Sequence, residues 1–249
     1  MAEPVLRVEG LGVDDGAVPL LQALSFRLEP AALLAVIGPD EADKDTLVAV
    51  LTGRQAVARG TVLLAGRPIT HQPPALRVRR GLVATARTDP PPASSLIDAT
   101  SLAMAAPRPP WQVPLWRRRP DAATRAAALE LLDFAGLGDA CHRAPADLTP
   151  AHQARLRLVL ALALAPRVLI VDRLGRGLSA AERAELTALL VRLAAGGIAL
   201  LWVEDDVDLV GEAADQALVL AQGRLVAGGP VGALAHSRQA ELAFLGDDG

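Results

Sequence analysis

Apolar residues are distributed unevenly along the chain, and their spacing predicts where each element falls. Short alternating stretches at Val5–Val8, Ser25–Leu28 and Thr61–Leu64 predict half-buried strands, and Leu33–Ile37 is a fully apolar run of strand length. Later runs at Val168–Val171 and Ile198–Val203, the second preceded by Gly196-Gly197, have the same character. Between and before them, apolar positions recur at helical spacing over Ala122–Phe134, Ala151–Leu164 and Ala180–Ala195. Apolar runs alternating with helices of this length predict a parallel sheet covered on both faces. Towards the end, Gln216–Leu220 and Arg224–Val226 flank a turn at Gln222-Gly223, and a helix is expected from Val231. From Pro90 to Pro120 the chain is proline-rich and irregular, an insertion carrying a small helical subdomain, and no internal repeat is present.

The segment between Leu34 and Thr46, L-A-V-I-G-P-D-E-A-D-K-D-T, has the frame of a phosphate-binding loop. Such a loop follows G-x-x-x-x-G-K-[ST] between a buried strand and a helix. Its glycines let backbone N–H groups wrap the phosphates, while the lysine and the hydroxyl handle charge and Mg²⁺. Here Gly38 and Lys44 keep their places, but Asp43 replaces the second glycine and Asp45 the hydroxyl. With Asp40 and Glu41, four acids against Lys44 give the loop a charge of about −3. Each anion–anion contact at ~4 Å costs on the order of 1 kcal/mol in water and ~4 kcal/mol at intermediate dielectric. Micromolar ATP binding is worth only ~8 kcal/mol, so two or three such contacts cancel it. The alternative reading is a strand ending in an acidic turn that caps a helix, where Asp complements the helix dipole.

Composition narrows the classes. At 249 residues with 51% hydrophobic and 21% charged residues, the chain can bury one α/β core with a subdomain. A net charge of −3 points to no nucleic-acid partner. A single cysteine, Cys141, excludes an internal disulfide and fits a reducing compartment, where it serves as a small buried apolar residue. The start M-A-E-P-V-L-R-V-E lacks a signal pattern, and the longest apolar stretches, Leu158–Ala165 and Ile198–Val203, fall far short of about 20 residues. A cytoplasmic protein that does not itself span a membrane is expected. His71, His142 and His236 sit in polar stretches without a pattern.

Three framework segments carry a family resemblance. G-R-P-I-T-H-Q-P-P at 66–74 with R-R-G-L-V-A-T at 79–85, D-A-A-T-R-A-A-A-L-E-L-L-D-F-A-G-L at 121–137, and A-D-Q-A-L-V-L-A-Q-G-R-L-V-A-G-G-P at 214–230 resemble the ATP-binding subunit of ABC transporters. The similarity is closest to the branched-chain amino-acid uptake group and covers nearly the whole chain. It implies an α/β fold of the P-loop NTPase (RecA-like) type: a mixed sheet core with an antiparallel β portion and an inserted helical subdomain. The core would comprise about 1–88 and 160–235, the helical subdomain about 89–159, and a C-terminal helix about 231–245. It also implies ATP and Mg²⁺ as ligands, a membrane permease as partner, a second ATP-binding subunit in a homo- or heterodimer, and a place at the inner face of the cell membrane.

In the register the resemblance sets, most functional positions are substituted. The adenine-stacking aromatic falls at Asp15, the Q-loop glutamine at Arg87, and the signature L-S-G-G-Q reads Leu148-Thr149-Pro150-Ala151-His152. Pro150 has no N–H to offer a phosphate. Asp172 keeps the metal-ligand position of the strand-end motif, but the catalytic glutamate is Arg173, the switch histidine is Asp205 and the D-loop residue is Ser179. Gly38, Lys44 and Thr46 remain as a residual phosphate loop and Asp172 as a residual metal ligand. Alternatively, Asp172 caps a loop, His152 is an N-terminal surface residue of its helix, and Arg117–Arg119 form a solvated face in place of a docking surface.

Three readings follow. A degenerate subunit keeps the fold and the docking surface, has no intact catalytic residue and binds no nucleotide tightly. A working ATPase uses Lys44, Thr46 and Asp172 as a reduced site. A non-transport interaction module reuses the scaffold. Opposite-sign substitutions on the two sides of the loop predict Arg87, Arg173 or Lys44 within ~4 Å of a carboxylate of Asp43, Asp45 or Asp172, with much of that pairing solvent-exposed. Val168–Val171 is expected beside Leu33–Ile37 as its parallel neighbour.

Overall fold

The computed structural model describes residues 3–87, 93–105 and 120–234, with 237, 238, 242 and 244. Trp111, Trp116, Arg117–Arg119 and His236 lie outside the described residues. The chain opens with β1 (Leu6–Asp15), β2 (Val18–Leu28) and β3 (Leu33–Ile37), followed by α1 (Glu41–Thr52), β4 (Arg59–Leu64), β5 (Arg67–Pro68), α2 (Pro74–Arg79) and β6 (Leu82–Ala84). Helices α3 (Leu96–Ala105), α4 (Ala122–Phe134) and α5 (Pro150–Leu162) come next. Then β7 (Val168–Asp172), α6 (Ala180–Ala195), β8 (Ala199–Val203), α7 (Val207–Gly211), β9 (Gln216–Ala221), β10 (Arg224–Pro230) and α8 (Val231–Leu234) follow, and two short 3₁₀ turns, Gly138–Ala140 and Pro145–Asp147, lie between α4 and α5.

Two sheets form. Strands β2-β1-β4-β5 make an antiparallel sheet, and β10-β9-β3-β8-β7-β6 make a second, parallel except for the β9–β10 hairpin. Both faces of the second sheet are covered, and the period-two alternation of each central strand divides its side chains between two cores. On one face Leu34, Val36, Val168, Ile170, Leu201 and Val203 pack with α1 and the antiparallel sheet. On the other, Leu33, Ala35, Leu169, Val171, Leu200 and Trp202 pack with α5, α6 and α7. A third cluster joins α3, α4 and α5 and buries Cys141 as a free thiol.

Three expectations are corrected. Leu33–Ile37 and Val168–Val171 run parallel in one sheet but are not neighbours, because β8 lies between them. Local periodicity carries no strand order. The residues of β8 are all buried on both faces, which suits a central position. The proline-rich stretch, read as irregular and carrying a helical subdomain but with no helix placed before Ala122, contains α3, whose start is held by Ser95: its hydroxyl accepts from the Asp98 N–H at 3.2 Å and donates to the Asp98 carboxylate at 2.7 Å. Finally, β1 and β2 are longer than their alternation indicated. Register shifts between Val8 and Asp14, with Gly10 and Ala23 in left-handed backbone, break the period while the pairing continues.

Candidate functional site

The site is assembled around the start of α1, where β3 ends. A Cβ placed on Gly38 would lie 1.8 Å from the Leu220 carbonyl oxygen, so close packing against β9 is enough to require glycine there. Asp40 occupies the N-cap position of α1 without capping it; its carboxylate accepts from the Gln222 N–H at 3.2 Å. One turn on, the Asp43 carboxylate accepts from the Gly223 N–H at 2.6 Å. Burial pushes the Asp43 carboxyl above the ordinary range, with the Gly223 hydrogen bond opposing and nearby Asp40 adding to the rise. Two loop acids are thus tied to the β9–β10 turn, a contact that sequence reasoning did not anticipate.

Lys44 is fully buried. Its ammonium donates to the Gly38 carbonyl and pairs with Asp205 Oδ1 at 2.7 Å. Asp205, at the switch-histidine position, also accepts from Arg176 at 3.1 Å. Burial alone would raise its carboxyl, but the hydrogen bond and charge of Lys44, with Arg173 and Arg176, hold it below the usual range. The preceding residue, Glu204, is buried beneath the site and accepts from Trp202 Nε1 at 3.2 Å and the Gly175 N–H at 3.4 Å. Desolvation pushes its carboxyl up.

Asp45 points to the opposite side and accepts from Arg87 at 2.6 Å and from Arg173. Arg173 also donates through Nε to Asp172 at 3.0 Å, and Arg87 Nε lies 3.8 Å from the second Asp172 oxygen. A left-handed backbone at Arg173, φ 46°, turns its guanidinium back over the end of β7. The expected pairing between loop acids and arginines is therefore present, but the expectation that it would be mostly exposed holds only for Arg87 with Asp45. Arg173 and Asp172 have side-chain exposures of 4% and 1%. Burial pushes the Asp172 carboxyl up, opposed by Arg87.

Other positions are used as helix caps. Thr149 caps α5 and accepts from the His152 N–H at 3.3 Å, with Pro150 in the first turn, where its missing N–H is harmless. Ser179 and Glu182 form a reciprocal capping box at α6. Thr46 donates its hydroxyl to the Ala42 carbonyl at 2.8 Å within its own helix. Asp15 is exposed at the tip of the β1–β2 hairpin, opposite Val18.

These residues do not fit Mg²⁺ and a nucleotide. A metal at Asp172 would have to displace Arg173 and Arg87 from its two oxygens and enter a cleft of about 290 Å³ lined by Arg87, Arg157, Arg173 and Arg176. Among the described residues no group of three or more His, Cys, Asp or Glu side chains is placed to hold a metal. A phosphate at Lys44 would have to displace Asp205 and meet Asp43.

A parallel sheet with a strand–loop–helix at its centre, an antiparallel sheet and a helical cluster defines the class of ATP-binding cassettes. Solved structures of that class share the fold. A nucleotide-free ATP-binding cassette from an ABC transporter superposes with a TM-score of 0.85 at 20% identity, covering 98% of this chain and 100% of that one. The cbiO1 structure from Clostridium perfringens, part of the ABC transporter complex cbiONQ, gives 0.79 at 21% identity over 95% and 92%.

In sequence, the ABC transporter family model matches residues 21–173. The ribose import ATP-binding protein RbsA 1 of Mesorhizobium japonicum is 30% identical over 97% of this chain and 46% of its own length. The cobalt import ATP-binding protein CbiO of Rhodobacter capsulatus is 30% identical over 94% and 82%. The chain belongs to the ABC transporter family, as a homologue of its ATP-binding subunits. It spans about half the length, or less, of the first curated relatives it matches. Among the described residues no helix is long and apolar enough to cross a membrane.

Proposed function

We propose that the chain is a degenerate ATP-binding subunit of an ABC transporter, which keeps the cassette fold and has given up nucleotide binding and hydrolysis. One observation carries the reading: charged groups at the phosphate, metal and attacking-water positions are paired with one another, Lys44 with Asp205, Asp45 with Arg87 and Arg173, and Asp172 with Arg173. Phosphoryl transfer needs a cradle of donors, Mg²⁺ and a positioned water; the Arg173 guanidinium is neither a base nor a metal ligand, and the Asp205 carboxylate is taken up by Lys44 and Arg176. The reduced-ATPase alternative loses support because the Thr46 hydroxyl is engaged inside α1.

In this reading the chain works through its surfaces. It docks on a membrane permease at the cytoplasmic side of the membrane and pairs with a second ATP-binding subunit that supplies the hydrolysis. The divided core of about 1–88 and 160–235, with the helical subdomain of about 89–159 between, provides these surfaces. The segments at 66–74, 79–85, 121–137 and 214–230 favour the branched-chain amino-acid uptake group; the named relatives handle ribose and cobalt. Thermal unfolding with Mg-ATP tests the proposal. A ligand at ~100 times its dissociation constant adds ~2.7 kcal/mol of stability. No shift in midpoint is expected up to millimolar Mg-ATP, and a saturable rise overturns the proposal.

A further inference from the structure

We propose that the Asp205 carboxylate is a built-in anion, seated on Lys44 where an external anion would otherwise sit, and that this contact keeps the loop before α1 closed. The inference rests on the reading above and deepens it by assigning the closure to one residue. Four observations support it.

Lys44 is fully buried in the first turn of α1, so its charge must be met by protein groups. A carbonyl, that of Gly38, supplies a dipole, and Asp205 supplies the opposite charge. The sheet brings the pair together: β3 and β8 are parallel with Val36 opposite Val203, and the Glu204 N–H donates to the Val36 carbonyl at 3.1 Å. Continuing that register sets Asp205 level with Gly38. The loop after β8 is held from below, because Glu204 is buried and accepts from Trp202, Gly175 and the Asp205 N–H itself. From outside, Arg176 pairs with the second Asp205 oxygen. The carboxylate therefore faces a cation at each of its oxygens, Lys44 at Oδ1 and Arg176 at Oδ2.

An internal occupant lowers the apparent affinity of the seat for any competitor by the fraction of time the seat is free. Removing it should expose the seat. The experiment measures thermal midpoints of the full chain and of Asp205→Ala against inorganic phosphate, with chloride at matched ionic strength as the reference. The wild-type midpoint should stay flat. Asp205→Ala should melt lower and be restored saturably by phosphate, with an affinity at least about tenfold tighter than any wild-type response. Adding Lys44→Met to Asp205→Ala should abolish the restoration.

Should Asp205→Ala fail to fold, Asp205→Asn retains the side-chain volume, and the cycle of Asp205→Asn with Lys44→Met reads the pair directly. The double variant should cost clearly less than the sum of the singles. Strict additivity, or a phosphate response equal in wild type and Asp205→Ala, overturns the inference. If neither protein responds to phosphate and Mg-ATP also leaves the wild type unshifted, the built-in anion is wrong while the proposed function stands. If Mg-ATP shifts the wild type, the proposed function itself falls.

Discussion

The two ends of α1 each bury a cation and satisfy it by different means. At the C-terminal end the fully buried Arg77 donates to four backbone carbonyls, those of Val50, Leu51, Thr70 and Gln72, at 2.7 to 2.9 Å. Two of these carbonyls, Val50 and Leu51, belong to the last helical turn, where the helix dipole favours a cation, and Val50 also accepts from the Gly53 N–H at 3.0 Å. Gly53 makes room, since a Cβ there would lie 2.8 Å from Arg77 Nε. Among the described residues no carboxylate pairs with Arg77. At the N-terminal end the dipole favours anions, and Asp40, Asp43 and Asp45 supply them around Lys44. The first arrangement uses neutral partners within 27 positions of Arg77, whereas the second draws on residues 87, 173, 176, 205, 222 and 223. A frame contact can be built locally; a pocket filled by its own side chains needs the whole sheet.

This contrast predicts a graded set of effects. Arg77→Met should be the most severe, because four acceptors lose a charged donor at once, although Val50 keeps the Gly53 N–H. Orphaned buried partners cost about 1–3 kcal/mol each, less where they relax, so a loss of about 4 kcal/mol or failure to fold is expected in urea unfolding. A loss below about 1 kcal/mol would dissolve the contrast. Arg173→Met leaves Asp172 buried with Arg87 at 3.8 Å and should cost about 2–3 kcal/mol, reduced where Arg87 moves in. If it proves neutral, the pairing there is decorative.

Glu204→Gln should change pH dependence more than stability at any one pH. Its folded carboxyl is raised above 4.5 by burial, so between 4.5 and the raised value the folded state holds more protons than the unfolded state. Stability from this group is complete below 4.5 and is lost as pH rises through the folded value. Asp43 and Asp172 act in the same direction and Asp205 in the opposite one. Denaturation series from pH 4 upward should show a flatter profile in Glu204→Gln, and an unchanged slope would show that the residue does not titrate there. The smallest effect belongs to Arg87→Ala. Arg87 and Asp45 are 43% and 40% exposed, so the loss should stay within about 1 kcal/mol and shrink further in salt.

Much of the frame was legible. Helices α4 and α6 span the residues their periodicity indicates, Ala122–Phe134 and Ala180–Ala195, since Asp121 and Ser179 cap them and the apolar stripe needs no distant partner to be recognised. Strand β3 was equally plain as a five-residue apolar run. Helix α3 was hidden by the surrounding prolines, although Ser95 and Asp98 three residues apart were a usable start signal. At the site, the charge reversal announced that acids and arginines would meet, and Asp45 with Arg87 and Arg173 is that meeting.

The local pieces are written in the spacing of the chain: which runs are buried on two faces, where helices begin, and that the phosphate loop carries acids. Tertiary structure alone decided the partners. That β8 lies between β3 and β7, and that its register sets Asp205 beside Gly38 and Lys44, follows from how twisted strands share two cores. The Gln222–Gly223 turn meets Asp40 and Asp43 for the same reason, across 182 and 180 positions of chain. Spacing encodes the direction in which a side chain leaves its own backbone; which charge it then meets depends on the order in which strands pair, and no local pattern carries that.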